Sequence, residues 1–255
     1  MSEIEQLVDC IIDLGRQMLI CGGEVHWIEE SLRKIFQEYG VTNTDVFIIT
    51  SSIVVTIHTA KGDVYTQTRR IAESTSDFEM LHRLNDCSRW ICKQHPASHE
   101  IRTRLNNITL RTGHYPLWLN FLCYAVIAWA FTLFFGGKLP DACVSFGVGL
   151  IMRTVIYICD NTISNKIFTK FMAALASTLV SLLALHLHWI SCVDKVMIGN
   201  IMTLIPGIGL TNALRDLFVG DSIAGLLRTI EAGIAAIAIA GGFFVAVFLT
   251  GGIGI

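Results

Sequence analysis

The sequence predicts an α+β N-terminal domain, helices plus a β-hairpin, over residues 1–111. An all-α membrane domain of about five transmembrane helices follows over 112–255, the fourth broken at Pro206-Gly207. Three observations predict this. The composition is 53% hydrophobic and 16% charged, too apolar for an ordinary soluble domain of 255 residues. The charge is unevenly placed, since 27 of the 40 Asp, Glu, Lys and Arg residues lie in positions 1–116. The hydrophobic period runs from helical to strand-like and back within the polar front, then gives way to long apolar runs.

In the front half, Ile4, Leu7, Ile11, Leu14 and Met18 recur at spacings of three and four, the stripe of an amphipathic helix. Gly22-Gly23 stops it, and Val25, Ile28, Leu32, Ile35 and Tyr39 form a second helix ending at Gly40. The β-branched and aromatic segment VFIITSSIVVTIHT from Val46 predicts one long strand, with Phe47, Ile49, Ile53, Val55 and Ile57 on one side and Ser51 interrupting it. The turn-forming AKGD at positions 60–63 and the shorter run VYTQTRR complete a hairpin. Helical spacing resumes at Phe78, Leu81, Leu84 and Ile91, and again at Ile101, Leu105 and Ile108.

Several function classes are excluded or disfavoured. A net charge of −2, with 12 basic against 15 acidic residues in the front half, gives no basic face for nucleic acid. Eight cysteines without a C-x-x-C pair indicate neither a zinc site nor a disulfide framework, and no cofactor is expected. The acidic start, Glu3, Glu5, Asp9 and Asp13, is unlike a cationic signal peptide, so no cleavage is expected. Glu24, His26, Glu29 and Glu30 open the second helix, a pattern permissive for a metal or acid/base pair. Carboxylates are favoured there in any case by the helix dipole. Ser51-Ser52 and His58 lack the G-x-S-x-G setting that exposes a nucleophile.

A helix needs about 20 apolar residues to cross a bilayer. Five segments approach this: 117–135, 142–159, 171–190, 196–214 and 232–255, with Arg153 the one charge among them. Basic residues near the passage ends divide seven to two. Arg102, Arg104, Arg111, Lys166, Lys170, Arg215 and Arg228 stand against Lys138 and Lys195, placing the N-terminus in the cytosol and the C-terminus outside. Trp118, Tyr157 and Trp189 fit an interfacial belt, and His186 and His188 lie near the outer end.

Polar groups at membrane depth are costly and mark candidate sites. Arg153 lies six residues before Cys159, about 9 Å along the axis, so it either snorkels to the cytoplasmic headgroups or supplies charge to a substrate. The fourth passage carries Pro206, Gly207 and Gly209 at its middle, where proline removes a donor and glycine tolerates the distorted geometry. A half-helix N-terminus freed this way can face an anion. Asn212 and Asp216 share a face beyond the break, and Asn200 and Thr203 point toward a similar stripe before it. The competing reading is a proline kink packed against a neighbour, with Asn212 and Asp216 near the interface.

The runs GGEVHWIEESLRKI (22–35), VFIITSSIVVTIHTAKGD (46–63) and above all LIPGIGLTNALRDLFVGDSIAGLLR (204–228) resemble the threonine/serine exporter family, in particular the longer subunit of its two-chain branch. The resemblance implies a secondary transporter that expels threonine, serine or succinate-like dicarboxylates. It also implies a smaller integral-membrane partner of about four helices, several copies of each chain, and a lipid environment in the cytoplasmic membrane. Unlike the single-chain form, this sequence ends after the fifth passage, so the second membrane half is expected on that partner. The substrate site expected on this chain is Pro206, Gly207, Gly209, Asn212, Asp216, Asn200 and Arg153. Two other readings stand beside it: a membrane-tethered hydrolase, and a regulatory or assembly subunit.

Overall fold

The computed structural model describes residues 3–59, 62–72, 75–111, 115–163 and 165–251. The chain divides into two compact units, Met1–Gly113 with Ile208–Thr229, and His114–Gly207 with Ile230–Ile255. Of the expected AKGD turn, Ala60 and Lys61 fall outside the described residues, as do residues 252–255 of the expected last passage.

In the first unit, helices α1 (Glu3–Ile20) and α2 (Val25–Glu38) follow the stripes legible in the sequence. Ile11, Leu14, Met18, Ile28, Leu32 and Ile35 are all fully buried. The corner between the helices is set by glycine. Gly22 has φ +88°, and a Cβ on Gly23 would stand 2.9 Å from the Met18 carbonyl oxygen. Helices α3 (Phe78–Gln94) and α4 (Ser98–Arg111) complete the helical layer, with Leu84, Cys87, Ile91 and Ile101 in the same core. Arg69 and Arg102 pair with Asp9 and Asp13 on its polar side.

The expected long strand is instead two strands. The sheet has order β1 (Asn43–Ile49), β2 (Ser52–His58), β3 (Val64–Arg70), antiparallel throughout. Thr50 and Ser51 form the turn, since Ile49 pairs with Ser52. This turn changes which residues face inward. Val46 pairs with Val55 and Ile48 with Ile53, so even-numbered residues of β1 stand beside odd-numbered residues of β2. Val46, Ile48, Ile53, Val55 and Ile57 are buried, whereas Phe47, expected on the same side as Ile53, is 53% exposed.

In the second unit, α5 (Leu117–Phe134), α6 (Leu139–Thr162) and α7 (Lys166–His186) form an up-down-up bundle. The last helix, α10 (Ser222–Leu249), begins in the first unit and ends in the second. Among the described residues these four helices are long and apolar enough to cross a membrane. The fourth expected passage, 196–214, is not a single helix. It is α8 (Val193–Ile201) and α9 (Gly207–Val219), of nine and 13 residues, joined through Met202–Pro206. At about 1.5 Å per residue neither spans a hydrocarbon core alone.

Close backbone approach holds this bundle together. A Cβ on Gly149 of α6 would stand 3.0 Å from the Ala125 Cα and the Tyr124 carbonyl of α5, and one on Gly199 of α8 would stand 2.7 Å from the Thr132 nitrogen of α5. Gly199→Val is therefore expected to destabilise the bundle by about 1–3 kcal/mol. Gly147→Ala, on α6 with open space around it, is expected to be neutral or stabilising by up to about 1 kcal/mol. Thermal unfolding of the two variants in detergent, followed by tryptophan fluorescence, checks the contrast.

Candidate functional site

The break between α8 and α9 follows directly from its sequence. Pro206 has no amide hydrogen to continue the ladder. The chain closes α8 with tight turns, Thr203 N–H donating to the Asn200 carbonyl at 3.2 Å and Leu204 N–H to that of Ile201 at 2.9 Å. Gly207 then starts α9, with its N–H donating to the Ile205 carbonyl at 2.8 Å. A Cβ at Gly207 would meet nothing within 4 Å, so the start of α9 borders open space.

The depth of the break is fixed by its packing within the second unit. Thr203 Oγ1 lies 3.7 Å from Met152 Sδ, and Leu204 joins a buried cluster with Met152, Ile156 and Ile239. Met152 is the fourteenth residue of the 24-residue α6. The break is thus level with the middle of the bundle, about 20 Å from the start of α6 by helical rise. One end of the bundle is marked by Asp141, fully buried, whose carboxylate accepts from the backbone N–H groups of Lys138 (3.0 Å) and Ser191 (2.8 Å). It joins the α5–α6 turn to the loop before α8.

Arg153, next to Met152, shares the level of the break. Because α6 continues to Thr162 rather than ending near Cys159, Arg153 lies nine residues from the helix end, deeper than the sequence reading placed it. Its guanidinium lies 5.8 Å from the Phe121 ring centroid and 5.4 Å from that of Tyr124 on α5, and its Nε is buried with no hydrogen-bond partner.

Asn200 is fully buried. Its Nδ2 donates to Ser145 Oγ at 2.9 Å and to the Val196 carbonyl at 2.8 Å, while Oδ1 has no partner. Ser145 in turn receives a 2.7 Å hydrogen bond from the Thr132 hydroxyl. This Asn200–Ser145–Thr132 chain ties α8, α6 and α5 together. Sequence reasoning missed Ser145, Thr132 and Asp141, since a small hydroxyl inside an apolar run, or one acid after a proline, carries no spacing signal.

Asn212 and Asp216 belong to the first unit, whereas Asn200 belongs to the second. Asn212 Nδ2 donates to the Gly22 carbonyl at 3.3 Å, and Asp216, 1% exposed, pairs with Arg228 at 3.2 Å. Gly209 lies in the first turn of α9.

The polar cluster at the start of α2 is occupied by pairing. Glu24 bonds Arg215 at 2.6 Å, His26 lies 3.9 Å from Asp221, and Glu29 bonds Arg33 at 3.3 Å. No group of three or more metal-binding side chains occurs among the described residues. Burial pushes the thiols of Cys21 and Cys87 up to about 11, so they serve as packing groups. A cavity of about 720 Å³ between α7, α8 and α10 is lined mainly by apolar residues, among them Leu185, Met197, Ile201, Ile239 and Phe243. Such walls offer a carboxylate few donors.

These features define a multi-pass membrane protein with a helix interrupted at mid-depth, the architecture of a transporter. The chain belongs to the family described as "Putative threonine/serine exporter", which matches residues 9–250. It is a transporter protein and not an enzyme. It is similar to "Probable succinate transporter subunit YjjP" of Klebsiella aerogenes, with 23% identity over 231 residues, 89% of this chain and 87% of that protein. No solved structure matches.

Burial raises the pKa of Glu29 above the ordinary carboxylate range, with Arg33 opposing. A raised carboxyl contributes stability at acid pH that is lost as pH rises through its folded-state value. Glu29→Gln is therefore expected to unfold at a higher temperature than the parent at pH 7.5, with a gain that shrinks on acidification to about pH 4. A gain that grew on acidification would contradict this.

Proposed function

We propose that this chain is the larger subunit of an exporter for small carboxylate metabolites, threonine and serine or succinate-like dicarboxylates, in the cytoplasmic membrane. The observation that carries the proposal is the interruption at Met202–Pro206, level with the middle of α6. There Gly207 opens α9, and a Cβ at Gly207 would meet nothing within 4 Å. Helix N-termini at membrane depth attract anionic groups because their amides point outward along a favourable dipole. Arg153, at the same level of the bundle, supplies positive potential in an apolar setting. Pro206 keeps the turn open, and Asn200 holds α8 against α5 and α6 so that the turn stays at that depth. Asn212 and Asp216 act one and two turns further along, where they hold α9.

A partner subunit follows from the relative's description as a transporter subunit, of which this chain covers most of the length. Alternating access also calls for a second bundle, and a partner of about four helices would provide it. The cytosolic placement of the N-terminal domain is supported by Arg215 and Arg228, which fold into the same unit as that domain. Lys138 and Lys195 lie beside the Asp141 junction, within the second unit. With the N-terminus in the cytosol, five crossings would leave the end of α10 outside.

Counterflow of labelled succinate, threonine and serine in vesicles containing this chain and its partner tests the reading. Gly207→Leu, whose Cβ would meet nothing within 4 Å, is expected to lower carboxylate flux at least tenfold while the protein still inserts. Arg153→Met is expected to raise the half-saturating concentration. Flux unchanged in both variants, or equal flux of succinate and its neutral diamide, would sink the assignment.

A further inference from the structure

We infer that the N-terminal domain works as the holder of α9, with Arg228 as the positioning residue that fastens this half-helix to the α1–α2 corner. The inference rests on the reading of α9 as the substrate-facing half-helix, and it gives the N-terminal domain a task within transport.

The geometry is a set of contacts inside one compact unit. The Arg228 side chain, 12% exposed, reaches two targets at once. Its Nη2 donates to the Gly23 carbonyl at 2.9 Å, and its Nη1 lies 3.2 Å from Asp216 Oδ2. The Gly23 contact is a hydrogen bond and the Asp216 contact an ion pair, since Asp216 Oδ2 has no hydrogen-bond partner among the described residues. One planar guanidinium fork reaches both, which a lysine ammonium cannot do with the same geometry. Asn212, one turn before Asp216, donates to the Gly22 carbonyl, and Arg215 reaches Glu24 on the solvent side. The two glycine carbonyls at the helix corner are thus each taken by a side chain from the α9–α10 segment. The sharp turn that exposes them requires glycine at 22, where φ is +88°.

Apolar packing agrees with the polar contacts. Ala224, at the start of α10, is 2% exposed and belongs to the same buried cluster as Ile11, Leu14 and Ile28. Ala213 of α9 is fully buried. A Cβ on Gly225 would stand 2.7 Å from Leu217 Cγ and 2.9 Å from the Ala213 carbonyl, so α9 and the first turns of α10 form a tight hairpin. The exposed Arg215–Glu24 pair adds little energy by itself, whereas Arg228–Asp216 is shielded from water. Removing one member leaves a buried charge uncompensated. The fastening therefore depends on Arg228.

Hydrogen exchange read by mass spectrometry on the full chain with its partner tests the inference, together with vesicle transport. Arg228→Met is expected to speed exchange of the α9 amides at least tenfold, with α1–α4 and α5–α7 exchanging as in the parent, and to raise the half-saturating carboxylate concentration at least fivefold. Arg228→Lys, which keeps the charge but not the fork, should fall between parent and Arg228→Met in both readouts. Wild-type protection of α9 in both variants overturns the inference. So does joint loosening of α1–α4 with α9, which marks general unfolding, or a loosened α9 with unchanged half-saturation. If the parent complex moves no carboxylate, the proposed function fails, and the exchange pattern still decides whether Arg228 fastens α9.

Discussion

A backbone amide or carbonyl at membrane depth has no water to turn to, so every departure from regular helix must be satisfied by protein or border an aqueous space. Pro206 imposes such a departure in an otherwise apolar run. The consequences organise the second unit. α8 closes on itself through the Thr203 and Leu204 turns, Asn200 anchors it to Ser145, and Gly199 brings it close to the α5 backbone. A half-helix of nine residues could not hold its place by burial of large side chains alone. Hydroxyl and amide bonds, each worth about 1–2 kcal/mol or less in a bilayer, together with close contact of small residues, keep it in register.

The same constraint explains the division of labour along the chain. Beyond the break, α9 carries Asn212, Arg215 and Asp216, groups poorly suited to lipid, and each has a partner in the α1–α2 corner or at the start of α10. The N-terminal domain receives polar groups that the bilayer could not accommodate. Its core accordingly extends beyond the first 111 residues to take in Ala224. Under the proposed function, the contacts of the first unit meet for α9 the need that neighbouring helices meet for α8.

Much of this was legible in the sequence where one period dominated. The α1 and α2 stripes and the uncharged runs that became α5 and α7 follow from spacing alone. The interruption at Pro206 follows from a proline and two glycines amid apolar residues. The β1–β2 turn was not legible, because Thr50 and Ser51 carry no Gly, Asn or Pro signal. The continuous parity of Phe47, Ile49 and Ile53 mimicked one strand, and a two-residue turn then reversed the inward face of β1. At the site, Pro206, Gly207 and Arg153 stood out as costly residues at membrane depth. The roles of Asn212 and Asp216 did not, because their partners, the carbonyl of Gly22 and the side chain of Arg228, lie 190 and 12 residues away and no local pattern encodes them.

The central claim is that a negatively charged group sits against the first turn of α9, beside Gly207 and Gly209. The most direct measurement is nitrogen-15 NMR of the glycine-labelled complex, with Gly207 and Gly209 assigned by substitution, during titration with succinate and with its neutral diamide. The account predicts that both amide resonances shift with succinate in a saturable manner and stay in place with the diamide. Resonances that ignore succinate while the same preparation transports it would show that the anion is held elsewhere.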